Sequence, residues 1–318
     1  MNDQEKIDAL FKNFRSQNIS NEEVSRLNSD EFMSDLYIGL YMEYVTKYNY
    51  FSCLAEWMCN SKNGIDDDDY NDDKPVKWST FSAAATTGCL LHDTFVLSDL
   101  YGKNGEVTIE EVTRRIDKLN HWTSRLVKIP RHCEAMSRII EKSGGTHMQH
   151  EKRPSRILMP LVCDVEAIRK FTEWKGGRRE GKRLKDMKFN ADFKGEKKHW
   201  ILAHIDIELH TIHIFDSLNI ICIQNFWSEV LAQWTECKNF RENFGTRKKF
   251  KVFTTPTFVV HQENGTDCGY YTCLYAHMLM IDGLTANQIY FSGNISQDLM
   301  NRITRSKIRE IIINKFGD

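Results

Sequence analysis

The chain has 318 residues, of which 41% are hydrophobic and only 5 are proline, so it can bury a sizeable core as one large domain or as a domain with an extension. Its formal net charge of −1 predicts no general attraction to nucleic acid or to a membrane surface. The 9 cysteines are scattered and have no metal-site spacing, which favours a reducing compartment such as the nucleus or cytoplasm. The polar N-terminus predicts no secretory signal, and no apolar run approaches the roughly 18–20 residues that a membrane span needs.

The N-terminal part of the chain is predicted to be helical over residues 3–60, because apolar residues recur there on one face. Asn28-Ser29-Asp30 has the composition of a helix N-cap. An acidic run over residues 62–77 follows and lacks apolar partners. It predicts a solvated loop in preference to a calcium site or a docking strip for a basic partner.

A second segment that partly resembles a calcium site is Asn104–Glu111, which matches the second half of an EF-hand loop. The first ligand positions would fall on Leu100 and Gly102, which offer no carboxylate. We therefore expect the start of a capped helix, with Val107 and Ile109 among its apolar positions.

The middle of the chain combines an apolar strand with a basic insertion. Ile157–Val162 is an apolar run of strand length. The insertion, at about residues 165–198, interleaves lysine and arginine with glycine. It is either a mobile solvated loop or a basic surface that meets an acidic partner or a polyanion, and the sequence does not choose between them.

A β-hairpin is predicted next, from the strand Ile201–Ile207, a polar turn, and the strand Ile212–Phe215. The start of the first strand and the end of the second lie side by side in an antiparallel hairpin, so His199 is expected beside Asp216. Asp206 is a competing partner for His199, although it lies at the wrong end of the strand.

Three further hairpin histidines have no carboxylate or thiol at ligand spacing, so we interpret them as ordinary hairpin side chains and expect no metal. They are His204, His210 and His213. No other cofactor is indicated.

The densest stretch of the chain is His261–Cys273, which contains two cysteines, two carboxamides and two glycines. Asn264-Gly265 is a strong turn signal, and the run after Cys268 is apolar enough for a buried helix. Cys268 is thus predicted at a helix N-terminus, where backbone N–H groups and the helix dipole stabilise a thiolate. Gln262 could donate a side-chain N–H to an oxyanion beside that sulfur, and Gly269 would allow a close backbone approach.

The remaining elements complete an α+β fold with a short central mixed sheet flanked by helices. An amphipathic helix is expected around Phe226–Trp234, strands around Phe250 and Phe258, and a final helix over Leu299–Phe316.

The order of these motifs resembles the Ulp/SENP family of ubiquitin-like-protein-specific cysteine proteases, of clan CE and adenain-like fold. The residues that carry the resemblance are His199-Trp200, Asp216-Ser217-Leu218, Gln262, and Asn264 to Gly269. It is close from about Ser155 to the C-terminus. It implies Cys268 as nucleophile, His199 as general base, Asp216 as the residue that orients it, and Gln262 in the oxyanion hole.

The resemblance also implies a substrate: the C-terminal diglycine tail of a ubiquitin-like modifier, SUMO above all, cleaved from its conjugates or trimmed from its precursor. Trp200 would form a wall of the tunnel that holds this tail, or else belong to the core. Leu27 to Glu31 matches the segment that helps form the tunnel, and so Asp30 is a candidate for substrate binding; the tryptophan usual at the start of that segment is absent.

Several alternative functions are consistent with the same residues. A deubiquitinase or a deneddylase would use the same four residues, and related acetyltransferases run the same Cys-His chemistry but usually carry glutamate where Asp216 stands. A non-catalytic module that grips a modifier is a further alternative. We expect a monomer with an N-terminal extension over residues 1–25 and a protease domain over 26–318, and a secreted effector acting in a host cell would look the same.

Overall fold

The computed structural model describes residues 33, 37–45, 48, 89–91, 106–107, 109–118, 156–165, 168, 189–190, 198–256, 262, 264–291 and 303–316. The helices of this part of the chain are α1 (37–45), α2 (Ile109–Lys118), α3 (Ile221–Glu236), α4 (Lys238–Phe244), α5 (Cys268–Met280), α6 (Ala286–Phe291) and α7 (Arg305–Phe316). The strands are β1 (Cys89–Leu91), β2 (Glu106–Val107), β3 (Arg156–Asp164), β4 (Phe189–Asn190), β5 (Lys198–Asp206), β6 (Thr211–Phe215) and β7 (Lys251–Thr254).

The central sheet has five strands in the order β1-β3-β5-β6-β7, and β2 and β4 form a separate pair. The outer pairs, β1 with β3 and β6 with β7, are parallel, whereas β3, β5 and β6 pair antiparallel. The sheet is therefore mixed, and the predicted α+β class is confirmed.

The two main helices cover opposite faces of this sheet. Phe215 stacks on Tyr275 of α5, with ring centroids 5.1 Å apart. Cys163 accepts a hydrogen bond from the indole Nε1 of Trp227 in α3 at 3.0 Å. Phe215 pairs with Leu202 of β5, and Cys163 pairs with His199 of β5. Leu202 and His199 are three positions apart, so their side chains point to opposite faces of the sheet. Because successive side chains alternate between faces, α3 and α5 lie on different sides of the sheet.

Helix α5 is the most deeply buried helix of the described chain, since all its residues from Cys268 to Met280 are buried. Its flanks include the α1 residues Ile38 and Tyr41, and Tyr41 shares a 2.8 Å hydrogen bond with His277. A helix that is apolar on all sides must be enclosed, so the segment that begins at Cys268 is anchored along its whole length.

The predicted hairpin, the apolar strand at residues 157–162 and the helix around Phe226–Trp234 are all present. The helix expected from Val107 onward begins later, because Val107 lies in β2 and pairs with Phe189. Phe189 belongs to the predicted basic insertion, which therefore contributes a short strand. The last helix begins at Arg305, not at residue 299.

Several predictions fall outside the described residues. They concern the acidic run at 62–77, most of the insertion at 165–198, the strand around Phe258, the N-terminal extension 1–25, and Asp30. The proposed division into residues 1–25 and 26–318 stays a prediction.

Candidate active site

The structure brings His199 and Asp216 together at one end of the central sheet. His199 lies near the start of β5 and Asp216 directly follows β6, so the hairpin places both at the same end. His199 Nε2 and Asp216 Oδ1 are 2.6 Å apart, and both side chains are almost fully buried. The competing carboxylate, Asp206, lies at the other end of β5 and accepts a hydrogen bond from the backbone N–H of Leu209.

The Asp216 carboxylate is held by backbone donors as well as by His199. The N–H of Leu218 donates to Oδ1 at 2.9 Å, and the N–H of Ile220 donates to Oδ2 at 2.7 Å. Burial raises the pKa of Asp216, but the hydrogen bond and charge of His199 and these two N–H groups outweigh burial and lower it. Asp216 is therefore a buried carboxylate that stays ionised.

The backbone of Asp216 is fixed by a threonine that sequence reasoning missed. The N–H of Asp216 donates to Thr255 Oγ1 at 2.7 Å, and the same hydroxyl donates to the carbonyl of Ile214 at 2.7 Å. Thr255 follows β7, so it ties the end of β6 to its parallel neighbour. No local sequence signal identifies this contact, because it depends on which strand pairs with β6.

The pKa of His199 is set by burial and by its two neighbours, Asp216 and Cys268. Burial lowers its pKa, but hydrogen bonding to Asp216 and Cys268 and the charges on those groups more than compensate and raise the pKa to about 9. Since Nε2 faces Asp216, the other ring nitrogen, Nδ1, is the one left for the Cys268 sulfur. This arrangement can hold an imidazolium between a carboxylate and a thiolate.

Cys268 is the first residue of α5 and only 1% exposed. The turn before it is built by Asn264, whose Oδ1 accepts the backbone N–H groups of Thr266 at 3.0 Å and Asp267 at 2.9 Å. The predicted turn and the helix that follows it are both present. Helix α7 adds a contact that was not predicted, because Arg305 forms an ion pair with Asp267 and donates to the carbonyl of Thr266 at 3.0 Å.

Gln262 is buried and bonded to the segment that follows Asp216. Its backbone N–H donates to the carbonyl of Ser217 at 3.0 Å, and its Oε1 accepts the Ser217 hydroxyl at 2.6 Å. Its Nε2 donates to the carbonyl of Asn264 at 2.6 Å. Gln262 thus connects the Asp216 segment with the loop before Cys268.

Trp200 follows His199 but points to the other face of the sheet, where it is fully buried. Its indole Nε1 has no hydrogen-bond partner. Trp200 is therefore enclosed in this structure and does not line an open surface.

The predicted hairpin histidines differ from one another. His204 and His213 pair directly across β5 and β6 and are buried, whereas His210 lies in the turn with a positive φ of 54°. Among the described residues, no group of three or more histidine, cysteine or acidic side chains could hold a metal ion. Across the same residues, none of the helices is both long enough and apolar enough to span a membrane.

Residues 187–314 match the family model described as the Ulp1 protease family, C-terminal catalytic domain. This segment contains all four residues of the predicted active site, from His199 to Cys268. No curated protein sequence matches the chain significantly.

The chain is also similar to solved structures at low identity. One is the C-terminal Ulp1 protease domain in complex with Smt3, the yeast ortholog of SUMO, with 14% identity, 99% of this chain and 96% of that chain covered, and a TM-score of 0.43. Another is the SUMO protease Ulp1 with its catalytic cysteine oxidised to a sulfonic acid, with 13% identity, coverage of 98% and 95%, and a TM-score of 0.41. A third is the Chlamydia trachomatis effector Cdu1 bound to ubiquitin, with 14% identity, coverage of 60% and 79%, and a TM-score of 0.30.

Because these TM-scores lie below 0.5, the assignment rests on the family match and on the motifs that it contains. The match begins before the His199-Trp200 pair and extends into α7, so it covers the hairpin, the cysteine loop and the helix that follows it. The resemblance predicted from the sequence is confirmed: residues 187–314 match the model of the Ulp1 protease family, C-terminal catalytic domain.

Proposed function

We propose that the protein is a cysteine protease that cleaves after the C-terminal diglycine of a SUMO-type modifier, through Cys268, His199, Asp216 and Gln262. The observation that carries the proposal is the buried His199–Asp216 pair, 2.6 Å apart, next to a cysteine on a helix N-terminus. The four residues stand within the segment that matches the protease family. The choice of a SUMO-type modifier follows from the Ulp/SENP resemblance, which the Asp-Ser-Leu and Gln…Asn-Gly-x-Asp-Cys-Gly motifs carry.

In this mechanism the thiol proton of Cys268 rests on His199 as an imidazolium–thiolate pair, and the thiolate attacks the carbonyl carbon of the terminal glycine. The oxyanion that forms is held by the Gln262 side chain and the backbone N–H of Cys268. Protonated His199 then gives its proton to the departing lysine amine, which leaves a thioester on Cys268. Water hydrolyses the thioester and releases the modifier with a free carboxylate.

The raised pKa of His199 supports the step in which the amine leaves, since about 9 keeps the imidazole protonated at neutral pH. Asp216, with a lowered pKa, stays charged and stabilises the imidazolium. The burial of Cys268 supports a demand for glycine, because a tail without side chains can approach a residue that is only 1% exposed.

The test is covalent labelling of the purified protein with SUMO, ubiquitin and Nedd8, each carrying a C-terminal thiol-reactive warhead. We expect an adduct with SUMO that is lost in Cys268→Ala. The matched control is Cys222→Ala, which removes another free cysteine of the same domain and should keep the adduct.

An adduct with only ubiquitin or only Nedd8 would keep the mechanism and change the modifier. No adduct with any of them, from folded protein whose Cys268 still alkylates, would overturn the modifier-protease function and favour acetyl transfer. An unchanged biological activity of Cys268→Ala would instead indicate a non-catalytic binding module.

A further inference from the structure

Ser217, the residue after Asp216, makes two contacts to Gln262 that the proposed mechanism does not use. Its carbonyl accepts the Gln262 backbone N–H at 3.0 Å, and its hydroxyl lies 2.6 Å from Gln262 Oε1. Ser217 is 1% exposed and Gln262 is 6% exposed, so water cannot readily replace these bonds.

The two ends of the Gln262 amide are distinguished by chemistry. The group 2.6 Å from the carbonyl of Asn264 must be Nε2, since a carbonyl oxygen only accepts. The other end is therefore Oε1, and the Ser217 hydroxyl must be its donor. One hydrogen of Nε2 is directed to Asn264, which leaves the second for a further acceptor.

We propose that Ser217 is a positioning residue that orients the Gln262 amide so that its second N–H points at the oxyanion of acyl transfer. The inference rests on the proposed function, in which Gln262 stabilises that oxyanion. Because Ser217 is joined covalently to Asp216, the same short segment orients both the base, through the carboxylate, and the oxyanion donor, through the hydroxyl.

Removing the Ser217 hydroxyl should change the orientation of the Gln262 side-chain amide and leave the backbone of this segment in place. In Ser217→Ala the backbone bond from Gln262 N–H to the residue 217 carbonyl stays. The buried Oε1 would lose its donor, so the bond from Nε2 to the Asn264 carbonyl would be the remaining one of these two side-chain contacts, and the second N–H of Nε2 would be aimed less accurately at the oxyanion. The nucleophile and the His199–Asp216 pair would remain in place.

The test compares two reactions of Cys268 that differ in their need for an oxyanion donor. With p-nitrophenyl acetate, the Cys268 sulfur forms a bond to the carbonyl carbon through an oxyanion, the ester C–O bond breaks, p-nitrophenolate leaves, and the thiol proton passes to His199. With iodoacetamide, sulfur displaces iodide from an sp³ carbon and no oxyanion forms. A burst of p-nitrophenolate that is absent in Cys268→Ala reports the first reaction at this residue.

We expect Ser217→Ala to lower the acylation rate by about tenfold, less than the roughly 100- to 1,000-fold expected for removing the donor itself in Gln262→Ala. Its alkylation rate should equal that of the wild type. The double variant should acylate no more slowly than Gln262→Ala alone, since the hydroxyl acts through the amide. Ser228→Ala, which removes a serine hydroxyl that donates to a helix carbonyl at 2.6 Å, is the matched control and should keep both rates.

An unchanged acylation rate in Ser217→Ala would overturn the inference, and so would losses that add in the double variant or an equal loss in alkylation. A wild type without an acylation burst would overturn it as well, because Cys268 would then accept no acyl group. Thermal melting checks that each variant is folded. The ester needs no modifier, so a failure of all modifier probes together with the expected rates would reject the proposed substrate and retain the role of Ser217.

Discussion

Asp216 provides the clearest prediction at the scale of a single residue. Its 2.6 Å hydrogen bond is the largest of the effects that raise the pKa of His199 against burial, and its charge adds to this effect. Asp216→Asn keeps the shape and removes the charge, so burial should prevail and the pKa of His199 should fall from about 9. We expect the alkaline limb of the kcat/KM profile to move by about 1–3 pH units to lower pH, as for the loss of an adjacent opposite charge.

The measurement is the pH dependence of kcat/KM on a conjugate of the modifier that labels Cys268, for wild type and variant. Asp206→Asn is the matched control, because Asp206 lies at the far end of β5 and pairs with Thr211. It should leave the alkaline limb in place. An unmoved limb in Asp216→Asn would mean that another group sets the charge of His199.

At the scale of an element, the start of α5 depends on the absence of a side chain at Gly269. A Cβ there would lie 2.8 Å from Met33 Cβ and 3.0 Å from Ile38 Cδ1. Alanine is otherwise the better helix former, so an open site would gain stability. The Met33 Cβ sits next to the backbone and cannot swing away, and we therefore expect Gly269→Ala to destabilise the fold by about 1–3 kcal/mol, as overpacking does.

Urea denaturation followed by circular dichroism measures this change in the free energy of unfolding. Gly265→Ala serves as the matched control, since a Cβ at Gly265 would meet nothing within 4 Å. It should shift the free energy of unfolding by less than about 0.5 kcal/mol. A higher free energy of unfolding for Gly269→Ala would contradict this prediction and would mean that Met33 moves to make room for the added Cβ.

Helix α5 shows which parts of the site can be predicted from the sequence. The helix after Cys268 and the turn before it follow from local composition, and both are present. The hairpin rule also places His199 beside Asp216 correctly. By contrast, the contact of Gly269 with Met33 joins residues more than 200 positions apart, and no local pattern encodes it.

The missed contacts of the site have the same origin. Thr255 reaches Asp216 only because β7 pairs with β6, and Arg305 reaches Asp267 only because α7 packs beside the cysteine loop. Ser217 was visible within the Asp-Ser-Leu motif, but its role depends on where Gln262 lies. The sequence therefore predicts the His199–Asp216 contact and the position of Cys268 at a helix start, whereas the contacts that hold these residues in place depend on tertiary pairing.

At the scale of the whole molecule, His204 couples the stability of the sheet to pH. It is 4% exposed, and neither ring nitrogen has a hydrogen-bond partner. Burial, followed by the positive charges of Arg156 and His213, lowers its pKa from the ordinary 6.5 to about 3. Below pH 6.5 the unfolded chain binds a proton at this histidine that the folded chain excludes, so stability is fully present above 6.5 and is lost as the pH falls toward 3.

One excluded proton costs about 1.4 kcal/mol of stability for each pH unit in that window. His204→Leu removes the proton-binding group from both states, so the free energy of unfolding should fall less steeply from pH 6 to pH 4 than in the wild type, by about that amount per unit. Urea denaturation at a series of pH values measures both slopes. Equal slopes would mean that His204 gains its proton in the folded sheet as easily as in the unfolded chain, which a buried ring beside Arg156 and His213 should not allow.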